Sequence, residues 1–424
     1  MIRFYFVIFL AFCFQLASAN YILLPMEHDK QTNHLKAYGI TYWVINQGID
    51  AYWMLNYRGG SFAFPYAKAL ESECKVRGVT YEVISDATWI QIRSEISNPE
   101  VNQEVVKLEK APKIAVYTPD FNPQGGRIQP WDDAVTLALT YAEIPYEKIY
   151  DREVLEGKLA QYDWLHLHHE DFSGQYGKFY ASQGGTPWYK LNQQKTEELA
   201  HSLGYSKVSM LKLAVAKKIR EYVEGGGFMF AMCSATDTYD IALSTDGTDI
   251  CDSMYDGDGF DQTANSKLNY KGTFAFTDFQ LNLNPLVYEH SDIDNKNRTV
   301  SPEMDYFSLF EFSAKWDPIP TMLCQNHTQT IKGFMGQTTA FRKSFVKSDV
   351  LILGETKSQG EVRYIHGTYG FGTWTFYGGH DPEDYRHYVG DPETDLNLHP
   401  NSPGYRLILN NILFPAAEKK KRKT

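Results

Sequence analysis

The stretch that decides the fold is residues 221–243, EYVEGGGFMFAMCSATDTYDIAL. A helical pattern ends at three consecutive glycines, and the apolar run 228–232 that follows is typical of a buried strand. Cys233 comes next, before small and helix-capping residues. A cysteine between a buried strand and a helix lies on a sharp turn, where the helix N-terminus favours the thiolate. The stretch therefore predicts a strand–helix unit of an α/β sheet whose turn carries either a nucleophile or a buried structural cysteine.

A second informative stretch is residues 373–384, TWTFYGGHDPED. His380 follows a predicted strand and two glycines, so we expect it at the carboxyl edge of the sheet, where open α/β sheets place their sites. Glu383 lies three residues further on and is suited to orient the imidazole. The chain order Cys233, His380, Glu383 fits nucleophilic acyl transfer. A capping or surface histidine is the alternative for His380.

These two stretches, the Gly-x-Gly hairpin turn before residue 373 and the closing YRLILNNILFPAA resemble the class I glutamine amidotransferase-like superfamily. Within it they lean toward the trehalose-utilisation and biotin-protein-ligase N-terminal-like branch. The resemblance implies a flavodoxin-like, doubly wound, mostly parallel sheet over about residues 111–415. It also implies Cys233 as nucleophile, His380 as base and Glu383 as orienting group, with no cofactor required. The whole chain is similar to uncharacterised exported bacterial proteins labelled asparagine synthetase B, but it shows no Gly-rich phosphate loop of a synthetase.

Two function classes stay open on this fold. The leading hypothesis is an amidotransferase-like hydrolase that acts on a C–N or related bond of a small-molecule, glycan or peptide substrate. The turn at Cys233, however, reads A-M-C-S-A where the superfamily has G-x-C-x-G. Its His-Asp-Pro-Glu stretch is also one residue longer than the His-Pro-Glu motif of the superfamily. Two aromatic-rich insertions, at about 172–210 and 244–345, fit a partner or glycan surface. The alternative is therefore a non-catalytic cell-envelope binding or assembly protein.

A third cluster, LHLHHED at residues 165–171, suggests a metal-dependent alternative. His168, His169 and Glu170 are candidate ligands, because neutral imidazoles with a carboxylate suit Zn²⁺. Cys233 or His380 are candidates to complete such a site, and a bound water would then be the nucleophile. The other interpretation is a polar strand end that makes hydrogen bonds.

The first residues have the pattern of a secretory signal peptide. Arg3 precedes an apolar run over 4–16, and Ala-Ser-Ala at 17–19 is a cleavage site of the A-x-A type. We therefore predict an exported protein, periplasmic or extracellular, with no transmembrane segment after cleavage. Four cysteines remain, and their even number permits disulfides whose pairing stays open: Cys74, Cys233, Cys251 and Cys324.

The 424 residues suffice for more than one domain. Alternating β-rich and helical runs predict an N-terminal α/β unit over 20–110, which extends the sheet or forms a separate lobe. The amidotransferase-like domain follows over 111–415, and a basic tail over 416–424. The formal net charge of −11 gives no electrostatic footprint for nucleic acid.

Overall fold

Two β-sheets, with helices between and outside them, make up the described part of the chain. The computed structural model describes residues 20–119, 132–167, 169–295, 300–386 and 388–418. The strands are β1 (Asn20–Leu24), β2 (Ala51–Leu55), β3 (Ser61–Pro65), β4 (Glu82–Ser85), β5 (Glu104–Leu108), β6 (Ile114–Tyr117), β7 (Glu147–Ile149), β8 (Trp164–Leu167), β9 (Phe228–Met232), β10 (Tyr306–Leu309), β11 (Thr330–Lys332), β12 (Phe341–Arg342), β13 (Leu351–Thr356), β14 (Glu361–Tyr369) and β15 (Gly372–Tyr377). The helices are α1 (His34–Asn46), α2 (Lys68–Val76), α3 (Asp86–Ser97), α4 (Ala134–Tyr141), α5 (Asp151–Leu155), α6 (Tyr180–Gln183), α7 (Pro187–Ser202), α8 (Val208–Glu224), α9 (Ser234–Ser244), α10 (Ser253–Asp256), α11 (Pro318–Thr321) and α12 (Pro403–Leu413).

The smaller sheet has five strands in the order β4-β1-β3-β2-β5, and all its pairings are antiparallel. From its sequence alone, the polar stretch over 90–108 predicts a helix. That prediction was wrong for its last part, because α3 ends at Ser97 and β5 follows as an edge strand. Val106 and Leu108 of β5 alternate into the core, and so short an alternation does not stand out within a polar stretch.

The larger sheet is mixed rather than mostly parallel. Strands β7-β6-β8-β9-β15 run parallel to one another in that spatial order. Beyond β15 the sheet continues antiparallel through β14, β13, β10 and β11, and β12 also pairs with β14. The hairpin of β14 and β15 was predicted and is confirmed. The mixed character arises because strands within and after the 244–345 segment extend the sheet.

The helices form layers on both faces of each sheet. Helices α1, α4 and α12 lie between the two sheets and share one apolar core with both. Helix α3 covers the outer face of the smaller sheet, and α8 and α9 cover the outer face of the larger one. The side chains of successive strand residues point to opposite faces, so each central strand contributes side chains to the cores on both sides of its sheet.

A buried guanidinium joins the middle layer to the smaller sheet. Arg406 of α12 is fully buried and donates to the hydroxyl of Tyr38 on α1 at 2.9 Å. It also donates to the backbone carbonyls of Met26 and Gly59 in loops of the N-terminal unit. These acceptors satisfy a charge that would otherwise be costly to bury.

The cysteines at 74, 233, 251 and 324 are buried free thiols. Of the described helices, none is long and apolar enough to cross a membrane. The predicted signal peptide and most of the basic tail lie outside the described residues.

Gly39 provides a test of the middle layer. A methyl group on Gly39 of α1 would lie 1.9 Å from the carbonyl oxygen of Ala142, directly after α4. We expect Gly39→Ala to lower the free energy of unfolding by about 2 kcal/mol, even though alanine is the better helix former. Chemical denaturation measures the change. The matched control is Gly185→Ala, where the new methyl meets open space; equal stability of the two variants would contradict the close helix contact.

Candidate active site

Cys233 lies on the predicted sharp turn between β9 and α9. Its backbone φ is 53° and its ψ is −140°, in the left-handed half of conformational space that a non-glycine residue rarely adopts. Such a conformation costs about 1–3 kcal/mol and persists only where the surroundings enforce it. The Cys233 N–H donates to the carbonyl of Gly379 at 3.2 Å, and every residue of α9 is buried. The strand–turn–helix predicted from the sequence is confirmed.

The thiol of Cys233 receives backbone N–H groups but is deeply buried. The N–H of Gln337 donates to Sγ across 3.4 Å, and the backbone N–H groups of Ser234 and Thr338 also act to lower the pKa of the thiol. Burial opposes these donors and raises the pKa of the Cys233 thiol to about 11. The helix N-terminus therefore does not produce a thiolate in the resting protein, and at neutral pH Cys233 is a thiol.

Two buried carboxyl groups hold the loop that supplies these N–H groups. Asp237 of α9 accepts the hydroxyl of Thr338 at 2.8 Å. Asp294 accepts the N–H groups of Thr339 and Ala340 at 3.2 and 3.3 Å. Burial, together with the nearby charge of Asp237, raises the pKa of Asp294 to about 8. The loop at 335–340, which we call the thiol loop, is thus anchored by two buried carboxyl groups.

His380 lies beside Asp132, whereas Glu383 has a different partner. The Nε2 atom of His380 is 3.8 Å from Oδ1 of Asp132, and its ring meets that of His169 edge-on at 4.0 Å between centroids. The carboxylate of Glu383 lies 3.2 Å from Nδ1 of His399. Nothing in the sequence distinguishes Asp132, because an acidic residue at a helix start is commonly a capping or dipole partner.

The proposed zinc ligands are placed in different surroundings. His168 lies outside the described residues, and His169 faces the same cavity as Cys233. The carboxylate of Glu170 is buried and accepts the ammonium of Lys212 at 3.2 Å and the hydroxyl of Tyr150 at 3.0 Å. Across the described ranges, neither His169 nor Glu170 belongs to a group of three His, Cys, Asp or Glu ligand atoms within 4.8 Å of one another.

One such group exists in the described part of the chain, but a lysine lies within it. Asp249, Cys251 and Asp256 bring their ligand atoms within 4.8 Å of one another. The ammonium of Lys207 lies 2.6 Å from Asp249 and 3.0 Å from Asp256, and it also contacts Asp258. A lysine ammonium therefore already lies among these carboxylates, where a metal ion would have to bind. Cys251 is held as a thiol, because burial raises its pKa well above the ordinary value.

Cys233 and His380 open into one cavity of about 700 Å³. Its described walls combine aromatic, apolar and cationic side chains: His169, Phe179, Ser182, Gln183, Cys233, Tyr288, Met335, Gly336, Gln337, His380, Arg386, Tyr388 and Val389. Sequence reasoning missed the thiol loop and the aromatic wall, because they come from irregular segments with no periodic pattern. The residues meet through the fold and not through sequence spacing.

Comparisons with known proteins do not assign a family. No protein-family model matches the chain, and no curated protein matches it. Among solved structures it is similar to two cytoplasmic proteins of Salmonella typhimurium, at 12% and 13% identity and TM-scores of 0.35 and 0.32. Each alignment covers 72% of this chain and 100% of the other. It is also similar to the GH42 β-galactosidase Gan42B, at 12% identity and a TM-score of 0.27, covering 64% of this chain and 28% of that one. These values are too low to support a functional argument.

The reactivity of Cys233 toward iodoacetamide should follow its raised pKa. Because the thiolate is the reacting species, we expect the alkylation rate to rise about tenfold per pH unit from pH 7 to about pH 10 without levelling off. Peptide mapping by mass spectrometry distinguishes Cys233 from the other three cysteines. A plateau below about pH 7 would instead show a preformed thiolate.

Proposed function

We propose that the chain is an amidotransferase-like hydrolase that cleaves a C–N or related bond through Cys233 and His380. The observation that carries the proposal is the strained turn of Cys233, which presents a thiol to the same cavity as an imidazole. A nucleophile on a strand–helix turn next to a base is the arrangement used for covalent acyl transfer.

The order of the parallel strands supports the flavodoxin-like part of the proposal. Numbered along the chain from β6, the five parallel strands lie in the order 2-1-3-4-5. Flavodoxin-like doubly wound sheets have this order, and their sites lie at the carboxyl ends of the strands. Cys233 follows the end of β9, and His380 follows the end of β15. Because β9 and β15 are adjacent parallel strands, both residues lie at one edge of the sheet.

Because the pKa of Cys233 is raised to about 11, the thiol proton must be removed as the sulfur attacks. Sγ of Cys233 attacks the carbonyl carbon while His380 takes the thiol proton, as a serine–histidine pair does. His380 then gives this proton to the leaving amine as the C–N bond breaks, which leaves a thioester. His380 next removes a proton from water, which attacks the thioester and releases the acid and the Cys233 thiol. The N–H groups of Gln337 and Thr338 in the thiol loop act on the sulfur, so they would stabilise negative charge that develops on it when the proton leaves.

Asp132 is our candidate for the orienting carboxylate, in the role that the sequence resemblance gave to Glu383. It contacts His380 from the segment just before α4, and α4 packs against α12 in the middle layer. A carboxylate at this distance stabilises the imidazolium that forms during the reaction. Glu383 is engaged by His399, three residues before the N-cap of α12.

One observation favours the non-catalytic alternative. A thiol with a pKa of about 11 is inert unless a base acts on it, so Cys233 can equally be a structural wall of a binding cavity in a cell-envelope protein. The zinc-dependent alternative has less support, because Glu170 is already neutralised by Lys212. In either case, export directed by residues 1–19 would place the function in the periplasm or outside the cell.

Replacing Cys233 separates catalysis from binding. We expect Cys233→Ala to lower ammonia or amine release from a panel of primary and N-acyl amides by at least about 10³-fold, because the covalent step is lost. The unfolding midpoint should stay close to that of the matched control Cys74→Ala, another buried thiol. Turnover retained in Cys233→Ala would rule out the covalent mechanism.

A second pair of variants assigns the orienting carboxylate. We expect Asp132→Asn to lower kcat by about 10²-fold or more, because the imidazolium of His380 loses its counter-charge. Glu383→Gln should change kcat by less than about threefold, since the contact that it alters is the partly exposed one with His399. Steady-state kinetics on the best amide of the panel measures both. The reverse ranking would return the role to Glu383.

A further inference from the structure

The charges around the Cys233 cavity differ from those of the chain as a whole. The protein carries a formal net charge of −11, yet the described lining residues include Arg386 and two histidines and no Asp or Glu. Arg386 is exposed, and within the described ranges it makes no ion pair or hydrogen bond. A guanidinium that has no partner among the described residues and lies at the wall of a cavity is available to a ligand anion, and its planar fork matches a carboxylate.

The cavity wall also carries exposed aromatic rings, which are uncharged and flat. Tyr388 is 61% exposed and Tyr288 is 40% exposed, although both line the cavity. The ring of Phe179 contacts that of Tyr288 at an interplanar angle of 59°, with 5.6 Å between centroids, and Met335 and Val389 add apolar area. Exposed aromatic faces of this kind bind planar or apolar groups at a low cost in conformational entropy.

We propose that this cavity selects an amide whose carboxylate is bound by Arg386 and whose flat acyl group lies on the aromatic wall. The substrate class is an N-acylated amino acid with an aromatic or similarly flat acyl group. A free α-ammonium group finds no carboxylate among the described lining residues, so a free amino acid fits this wall less well than its acylated form. The reaction assigned to this substrate rests on the proposed function; the anion selectivity does not.

Two thiol reagents of nearly equal size test the selectivity directly. Iodoacetate carries a carboxylate and iodoacetamide is neutral, and both alkylate Cys233 from within the cavity. We expect the ratio of the iodoacetate rate to the iodoacetamide rate at pH 9 to fall about threefold to fivefold in Arg386→Gln, with partial recovery in Arg386→Lys. The matched control is Arg93→Gln on α3, which covers the smaller sheet and should leave the ratio unchanged. An unchanged ratio in Arg386→Gln would overturn the proposal.

A binding measurement covers the case in which neither reagent reaches the thiol. Saturation-transfer NMR compares N-benzoylglycine with its neutral amide, N-benzoylglycinamide, on wild-type protein and on Arg386→Gln. We expect the acid to bind more tightly than the amide in wild type and to lose this preference in the variant. Equal binding in wild type contradicts the proposal.

The two proposals fail in different ways. If wild type prefers the anionic probes but hydrolyses no amide, the selectivity stands and the covalent function falls. If amides are hydrolysed through Cys233 with no dependence on Arg386, the function stands and the substrate class is wrong.

Discussion

The structure depends on one layer of helices that serves two sheets at once. Helices α1, α4 and α12 are covered on both sides, so their apolar residues cannot be confined to one stripe, and their polar groups must be satisfied inside. Arg406, Tyr38 and Asn410 do this as a linked group of hydrogen bonds. The same layer fixes α4, and through it the position of Asp132 beside His380. The candidate site is therefore built on the packing between the two halves of the chain, not on one sheet alone.

The parts of the fold that follow from local pattern were predictable. About twenty neighbouring residues encode the glycines that end α8, the buried strand β9 and the turn at Cys233. The β14–β15 hairpin is encoded within seventeen residues. The antiparallel extension of the larger sheet was not predictable, because its strands are short and join through irregular segments. The partners of His380 were equally hidden, since Asp132 is nearly 250 positions away and no spacing rule connects the two.

At the site, two physical effects act on the same sulfur with opposite sign. The helix N-terminus and three backbone N–H groups favour negative charge on Cys233, and burial opposes it more strongly. The first effect could be predicted from the sequence, because a helix start has a recognisable pattern. The effect of burial could not, because it depends on how closely the thiol loop packs against the thiol. A protein with this balance keeps its thiol protonated, which limits oxidation by the surroundings. Under the proposed function, the thiol reacts only where His380 and a substrate carbonyl meet the sulfur together.

Burial of the Asp294 carboxyl group couples folding to the uptake of a proton. In an unfolded chain an aspartate has a pKa of about 3.9, so its carboxyl group is ionised at neutral pH. In the folded protein its pKa is about 8, so the group is mostly protonated at pH 7. Folding at neutral pH therefore takes up a proton at this position, and its contribution to stability declines as the pH rises from about 4 toward about 8. The heat of unfolding near pH 7 would consequently vary with the ionisation enthalpy of the buffer that receives the proton.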